Sequence, residues 1–169
     1  MSEDYHILPF VTVRDTREQA PYDFRGMRAG SKHGNVPLIV PIEDRVLKTG
    51  DYAISGLEDL MAVERKSKSD CFSSLSQGRE RLEREFERMK EMEIAHFVVE
   101  CEWSDVFGNP PPHSKLNPKS IHGTMTSWVT RYPNVHWHMC PGRAFAERTC
   151  LRLLQKFWEH RQEKNEGAR

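Results

Sequence analysis

The sequence predicts an α/β protein, a three-layer sandwich with a central mixed β-sheet flanked by helices. Two observations predict it. Short apolar runs typical of strands alternate along the chain with segments whose apolar residues recur at helical spacing. The order is strand, strands with acidic ends, long helix, strand, helix, strand, helix, which places helices on both faces of one sheet. We expect one domain over residues 10–160, with tails at residues 1–9 and 161–169 of the 169-residue chain.

Composition narrows the class of function. The 25 basic and 25 acidic residues cancel, so attraction to nucleic acid must come from local basic patches. The four cysteines show no paired spacing and the first residues lack a signal segment, which favours an intracellular location, cytoplasmic or, in a eukaryote, nuclear. No apolar run approaches membrane-spanning length and no GxxxxGK motif occurs, so we expect neither a membrane anchor nor a nucleotide cofactor.

The first two strands are expected at residues 10–14 and 37–42. The first alternates between apolar and polar positions and ends at Asp15, whereas the prolines of the second favour a sheet edge or a strand end. The segment between them is rich in glycine and carries Arg28 and Lys32. This mobile basic loop is either a DNA contact or a solvated hairpin tip, and both interpretations stay open.

A further strand is expected over residues 60–63, and it leads into the charged group Glu64, Arg65 and Lys66. Side chains alternate along a strand, so Glu64 and Lys66 project from one face and Arg65 from the other. An acid and an amine side by side at the end of a buried strand are unfavourable in a core. The pattern therefore indicates a functional site.

A second carboxylate comes from Asp51, at the end of a short strand-like run. The turn residues between the two runs make the strands antiparallel neighbours, which brings Asp51 close to Glu64. Converging carboxylates are hard oxygen ligands for Mg²⁺ or Mn²⁺, and the backbone carbonyl of Arg65 is a further candidate ligand. Lys66 then faces the attacking water or the scissile phosphate. Asp15 joins the acidic group if its strand lies beside that of Asp51.

The motif residues occur in an order that one family shares. They are Gly50, Asp51, Glu64, Arg65, Lys66 and Asp70, flanked by Asp15, Arg17 and Glu18 on one side and by Gly78 and Arg79 on the other. The sequence thus resembles the nuclease domain of the XPF-type structure-specific endonucleases, a branch of the restriction-endonuclease-like fold. The resemblance covers roughly residues 10–160, and beyond Glu100 it rests on pattern more than on identities.

The resemblance implies a divalent-metal-dependent DNA endonuclease that hydrolyses phosphodiester bonds in branched DNA, such as flaps, forks or junctions, in DNA repair or recombination. From the residues and the resemblance together, the candidate catalytic residues are Asp15, Asp51, Glu64, Arg65, Lys66 and Asp70, the metal ligands Asp15, Asp51 and Glu64, and the DNA contacts Arg17, Arg28, Lys32, Lys68 and Arg79. The alternative is a non-catalytic, DNA-binding or dimerising partner subunit. Such partners usually lose the acids and the lysine that this chain keeps.

After the motif, one long helix is expected up to about Met92, capped by Ser69 or Asp70. Asp70 is either a cap or the group that orients the charged residues at the strand end, and one side chain can do both. Arg79 falls on the apolar stripe of this helix, which indicates a phosphate or carboxylate partner on the inner face. Where the family usually has a glutamine a few residues after that arginine, this chain has Glu83 or its neighbours.

The second half of the chain continues the alternation. Residues 94–100 are an apolar run typical of a central strand, and a proline-rich loop follows in which Lys115 and Lys119 are placed to flank DNA. We then expect a helix over residues 118–131, a strand over residues 135–140 and a last helix over residues 142–160.

The last strand and the last helix each carry one further pattern. His136, His138 and Cys140 share a strand face, which permits zinc, although a single strand without a second donor cluster favours a partly buried polar face. Leu151 and Trp158 lie off the apolar stripe of the last helix. They either widen its buried face or contact a second copy or a DNA-binding partner protein, and the second interpretation is the one we expect. We expect such a partner because the sequence has no room for the tandem helix-hairpin-helix module that family members use to grip duplex DNA.

Overall fold

The computed structural model describes residues 5–167. Its strands are β1 (His6–Ile7), β2 (Thr12–Asp15), β3 (Leu38–Ile39), β4 (Ile42–Arg45), β5 (Tyr52–Ile54), β6 (Met61–Lys66), β7 (Ile94–Val99) and β8 (Val135–Met139). Its helices are α1 (Lys68–Leu75), α2 (Arg79–Met89), α3 (Trp103–Gly108), α4 (Pro118–Arg131) and α5 (Arg143–Gly167), with a short 3₁₀ turn at Ser31–His33.

The main sheet has six strands in the order β4-β2-β5-β6-β7-β8. Strand β5 is antiparallel to both of its neighbours, β2 and β6, whereas the β4/β2, β6/β7 and β7/β8 pairs are parallel. Strands β1 and β3 form a separate two-stranded parallel sheet. The mixed sheet predicted from the sequence is therefore confirmed.

The two faces of the sheet pack against different helices. On one face, Phe86 of α2 stacks on Phe97 of β7 at 4.9 Å between ring centroids, within a core that α1 and α4 complete. On the other face, Val63 and Val98 pack with Cys150 and other residues of α5. Helices thus cover both faces, and the three-layer α/β sandwich is confirmed.

Several predicted elements differ in the first half of the chain. Strand β1 lies within the expected tail at residues 1–9, of which residues 1–4 lie outside the described residues. The expected strand at residues 37–42 is divided, because β3 and β4 belong to different sheets. Asp51 does not end a strand but precedes one, β5. Gly50 turns the chain just before it with a φ of +76°, and a Cβ there would lie 2.8 Å from the Cβ of Ala62.

The long helix expected after the motif is two helices, α1 and α2, separated at residues 76–78. The hydroxyl of Ser76 donates a hydrogen bond to the carbonyl of Phe72, and Gly78 begins the second helix with its carbonyl facing the amide of Leu82. Serine and glycine both have low helix propensity, so the helix is interrupted where they cluster. The cap of α1 is Ser67 rather than Ser69 or Asp70.

The second half follows the predictions more closely. Helix α4 has the predicted bounds, and β7 and β8 each end one residue earlier than expected. Helix α3 was missed, although a capping box between Glu102 and Asp105 marks its start. Helix α5 continues to Gly167, so most of the expected tail at residues 161–169 is helical.

The expected contact surface on the last helix is wrong. Leu151 is only 3% exposed and belongs to the core beneath α5. Trp158 packs against the same core, with its ring 5.6 Å from that of Phe10. Both side chains therefore stabilise the fold of one chain and do not form a seam for a second one.

The histidines of the last strand, the cysteines and the absence of a membrane anchor were the remaining expectations. His138 bonds His96 of the neighbouring strand, with Nε2 and Nδ1 3.0 Å apart, and the described residues hold no group of three or more His, Cys, Asp or Glu arranged to bind a metal ion. The four cysteines are buried and free. In the described part of the chain, none of the helices is both long and apolar enough to cross a membrane. The intracellular location stays a prediction.

Candidate active site

An open cleft of about 1070 Å³ lies at the ends of β2 and β6 and the start of β5, beside α1 and α2. Its lining is strongly polar and combines carboxylates with cations. From the motif it includes Asp15, Arg17, Glu18, Gly50, Asp51, Glu64, Arg65, Lys66, Asp70 and Gly78. The structure therefore brings most of the motif to one place, as the pairing of β5 with β6 requires.

Three of these residues share one face of the sheet. The amide of Asp51 donates to the carbonyl of Val63 at 2.8 Å, and its Oδ2 accepts from the amide of Arg65 at 2.7 Å, which fixes the carboxylate beside the end of β6. On β6, Nζ of Lys66 lies 2.8 Å from Oε1 of Glu64. Strand alternation thus presents one acid and one amine together, as predicted, with Asp51 next to them.

Burial and neighbouring charges change the pKa values of Asp51 and Lys66. Burial raises the pKa of Asp51 well above its ordinary range, and the nearby charge of Glu64 raises it further. Burial alone would lower the pKa of Lys66, which is 6% exposed, but the charges of Glu64 and Glu85 outweigh it and the net pKa is raised. Lys66 is therefore an ammonium ion at neutral pH, whereas the raised pKa of Asp51 shows that its carboxylate lacks enough positive charge around it.

Arg65 points to the opposite face, as the alternation predicted. Its guanidinium bonds both carboxylate oxygens of Glu100, at 2.8 and 2.9 Å, and Oε1 of Glu18 at 3.2 Å. Glu100 also accepts from the hydroxyl of Tyr22 at 2.9 Å and from Arg143 at 3.2 Å. This largely buried network ties the end of β6 to β7, to the segment after β2 and to α5. It holds the strand end that carries the site in position.

The carboxylate of Asp15, at the end of β2, is held by several hydrogen bonds. It is 3% exposed, and its two oxygens accept hydrogen bonds from the amide and guanidinium of Arg17 and from the amide of Leu47. These bonds lower the pKa of Asp15 although burial alone would raise it. Both of its oxygens already accept hydrogen bonds, which makes Asp51 and Glu64 the stronger candidates for metal ligands. Arg17 is held at the rim of the cleft by the same bonds.

Asp70 and Lys68 lie in the first turn of α1. The hydroxyl of Ser67 accepts from the amide of Asp70 and contacts its carboxylate, so the acid completes the helix cap. Its described contacts do not include Lys66 or Arg65. Lys68 donates to the carbonyl of Asn109 at 3.0 Å, which joins α1 to the loop after α3. Both residues are placed by the helix start rather than by the sheet.

Four of the five expected DNA contacts lie outside the lining of the cleft, which includes Arg17 but not Arg28, Lys32, Lys68 or Arg79. Arg79 is exposed at the start of α2, where it bonds the carboxylate of Glu83 at 3.1 Å and lies over the ring of Trp128. Lys32 pairs with Glu159 of α5 at 3.5 Å and lines a second groove of about 670 Å³ beside that helix. Arg28 is exposed on the hairpin that carries Lys32. As DNA contacts, these four residues stay predictions.

The cleft also contains residues that the motif does not include. Glu85 of α2 contacts Glu64, and burial together with the charge of Glu64 raises the pKa of Glu85 to about 8. Arg81 and Arg88 of α2 and Lys48 on the other side complete the rim. Arg81, Glu85 and Arg88 lie at positions i, i+4 and i+7, a spacing that places their side chains on one face of a helix. This spacing is visible in the sequence.

The donor set fits a magnesium-like ion. Asp51 and Glu64 supply two carboxylates, one oxygen of Asp51 is free of the bond to Arg65, and the mutual repulsion of the two acids favours a cation between them. The described residues supply no third His, Cys, Asp or Glu in ligand position. Mg²⁺ is commonly held by one or two carboxylates with water and substrate phosphate in the other positions, so two suffice.

The fold and site together define a class of protein. A mixed sheet between helices, with carboxylates and a lysine gathered at a strand end, is the arrangement of the restriction-endonuclease-like proteins. Within that class the chain belongs to the ERCC4 domain family, whose model matches residues 15–149. This is a family of DNA nuclease domains, and the resemblance to the XPF-type nuclease domain is thereby confirmed.

Two solved structures are similar in fold. One is XPF from Aeropyrum pernix in complex with DNA, with a TM-score of 0.53 and 24% identity over 87% of this chain and 66% of that one. The other is XPF from Aeropyrum pernix, with a TM-score of 0.51 and 21% identity over 86% of this chain and 58% of that one. The chain thus spans less than two thirds of the length of each structure. We found no curated protein that matches it.

Proposed function

We propose that this chain is a divalent-metal-dependent DNA endonuclease that hydrolyses phosphodiester bonds in branched DNA, such as flaps, forks or junctions. The observation that carries the proposal is that Asp51, Glu64 and Lys66 share one face of the sheet and line one open cleft. Membership of a nuclease family supports it, and so does the fold likeness to an archaeal protein whose structure contains DNA.

In this proposal Asp51 and Glu64 hold Mg²⁺ or Mn²⁺, with the backbone carbonyl of Arg65 as a further candidate. When bound, such an ion supplies a Lewis acid that promotes ionisation of water and offsets charge on the phosphate. Two hydrogen bonds support these roles, because the amide of Arg65 donates to the carboxylate of Asp51 and the ammonium group of Lys66 donates to that of Glu64.

In the proposed reaction Lys66 contributes positive charge, and Arg65 holds the end of β6 in position. In hydrolysis, water attacks phosphorus, one P–O bond breaks and a proton passes to the leaving oxygen. Lys66 stays protonated beside Glu64, so it stabilises the negative charge that grows on the phosphate oxygens rather than removing a proton from water. Arg65 acts through its bonds to Glu100 and Glu18, which keep the end of β6 in place.

Cleavage of end-labelled DNA tests the proposal. Flap, fork, four-way junction and linear duplex substrates are incubated with the wild type in Mg²⁺, in Mn²⁺ and in EDTA. We expect cleavage of a branched substrate in either metal and none in EDTA. Asp51→Asn and Glu64→Gln should abolish cleavage, whereas Glu83→Gln, an acid on α2 that pairs with Arg79 outside the cleft, should not.

Each outcome discriminates between the hypotheses. Full activity in EDTA would show that the metal assignment is wrong. Binding of DNA without cleavage of any substrate would favour the alternative, a non-catalytic DNA-binding or dimerising partner subunit. Equal cutting of branched and linear DNA would leave an endonuclease but remove the preference for branches.

We also propose that the domain acts as a homodimer or with a DNA-binding partner protein. The reason is that 25 basic and 25 acidic residues leave no net charge to hold two arms of branched DNA. Sedimentation velocity with and without a forked duplex tests this. A wild type that stays monomeric on the fork and still cuts it at full rate without a partner would contradict the proposal.

A further inference from the structure

Helix α2 presents a stripe of charge to the cleft. Arg81, Glu85 and Arg88 line the cleft, whereas Arg84, on the same helix, does not. Positions i, i+4 and i+7 lie along one helix face, so the two arginines are separated by about two turns, or roughly 10 Å along the axis. The Glu85 carboxyl between them contacts Glu64 on the floor of the cleft. Both arginines are exposed at the rim above it.

Neither arginine has a carboxylate within ion-pair distance among residues 5–167. Among the same residues Lys48 of the cleft and Arg84 of α2 also lack an ion pair, whereas Arg17 at the rim pairs with Asp15. Arginines are long enough to find partners on an acid-rich helix, and α2 contains four glutamates. Two guanidinium groups that remain free beside an acidic floor are therefore available to an anion that enters the cleft.

We propose that Arg81 and Arg88 form a phosphate-binding pair that holds the DNA backbone beside the acidic floor, with the exposed Lys48 on the opposite rim. The inference rests on the proposed function and specifies how the substrate is held. The separation of roughly 10 Å equals the axial rise of about three nucleotides in one duplex strand, so each guanidinium reaches its own phosphate. Contacts of this kind hold any sequence, since the backbone carries no base information.

The overall charge of the chain is consistent with a role for such a pair. With no net charge, the chain has no general attraction for DNA, and its cleft floor repels phosphate until the acids are neutralised. Free cations at the rim offset that repulsion where the backbone passes. The competing explanation is that the arginines only solvate an exposed helix face, in which case Arg84 should be equivalent to them.

Fluorescence anisotropy of a fluorescein-labelled forked duplex separates these explanations. Binding is measured in EDTA over a range of NaCl concentrations for the wild type, Arg81→Ala, Arg88→Ala, the double variant and the control Arg84→Ala. The control removes the same charge from the same helix. We expect each cleft variant to bind about fivefold or more weakly and to lower the magnitude of the salt slope by about one, and the double variant by about two. Arg84→Ala should change affinity less than about twofold.

Equal losses in all three single variants, or no loss in any, would overturn the inference. Failure of the wild type to bind the fork would overturn it as well. Arg81→Lys with Arg88→Lys keeps both charges, so near-wild-type binding by this variant shows that lost charge, not misfolding, weakens the alanine variants. If the wild type binds through the pair but cuts no substrate in Mg²⁺ or Mn²⁺, the proposed function fails while the phosphate pair stands. If it cuts normally and the double variant binds like Arg84→Ala, only the phosphate pair fails.

Discussion

A buried histidine on the face of the sheet opposite the cleft makes the stability of this protein depend on pH. His96 of β7 is 5% exposed, and its Nδ1 lies 3.0 Å from Nε2 of His138 on β8. Burial, together with smaller contributions from the neighbouring His138 and His136, lowers the pKa of His96 from 6.5 to about 3. Among the described residues, these two histidines are the titratable groups that affect the pKa of His96. A neutral His96 is thus a condition of the native fold.

The sign and size of the effect follow from linkage. As pH falls below 6.5 the unfolded chain binds a proton at His96 while the folded chain does not, so the free energy of unfolding decreases. For a folded pKa of about 3, the loss between pH 7.5 and pH 4.5 is roughly 2.5 kcal/mol from this residue alone. The pKa of His138 is also lowered by burial, which adds a loss of the same sign.

Urea denaturation at pH 7.5, 5.5 and 4.5 measures this loss directly. We expect the difference in unfolding free energy between pH 7.5 and pH 4.5 to be about 2 kcal/mol smaller in His96→Gln than in the wild type, because an amide does not titrate. The matched control is His113→Gln, in the exposed loop before α4, which should keep the wild-type difference. If His96→Gln and the wild type lose equal stability on acidification, a neutral buried His96 is ruled out.

Three other perturbations have defined outcomes. Lys66→Ala should lower turnover about 10²-fold or more at nearly unchanged DNA affinity, whereas Lys68→Ala should act mainly on binding. Single-turnover cleavage compares the two variants, and equal effects on turnover would contradict the assigned roles. Gly50→Ala should cost about 2 kcal/mol or more in urea denaturation, since φ is +76° and the new Cβ meets that of Ala62 at 2.8 Å. Leu151→Ala should cost about 3 kcal/mol without changing the sedimentation coefficient, and a change in oligomeric state at constant stability would show that Leu151 is a surface residue.

The parts of the fold that sequence predicts well have local causes. Strand alternation alone places Glu64 and Lys66 on one face and Arg65 on the other, and the ion pairs of the structure follow that division. Local residues mark both ends of helix α4: Asn117 caps its start, and Pro133, two residues after its end, cannot continue the helix. Where the signal lies within a few residues, the sequence is sufficient.

Other features depend on contacts between distant residues. Asp15 matched the motif, but the amide of Leu47, far along the chain, occupies its carboxylate together with Arg17. Leu151 lies off the apolar stripe that periodicity predicts for α5, yet the buried face of that helix is wide enough to include it. Periodicity gives the direction of a helix face and not its width, and it does not show which polar group finds a partner.

The rim of the cleft lies beside the apolar stripe of α2. Leu75, Leu82, Phe86 and Met89 are buried as one helical pattern predicts, so the interruption at residues 76–78 leaves the phase of the stripe unchanged. Each step around a helix is about 100°, so Arg81, Glu85 and Arg88 lie together at the border of this stripe, and all three line the cleft. Periodicity predicts that these three side chains share a helix face, but not that the face adjoins Glu64. The motif therefore identifies the floor of the cleft, whereas the residues proposed to hold DNA above it are recognised only when α2 is seen beside the end of β6.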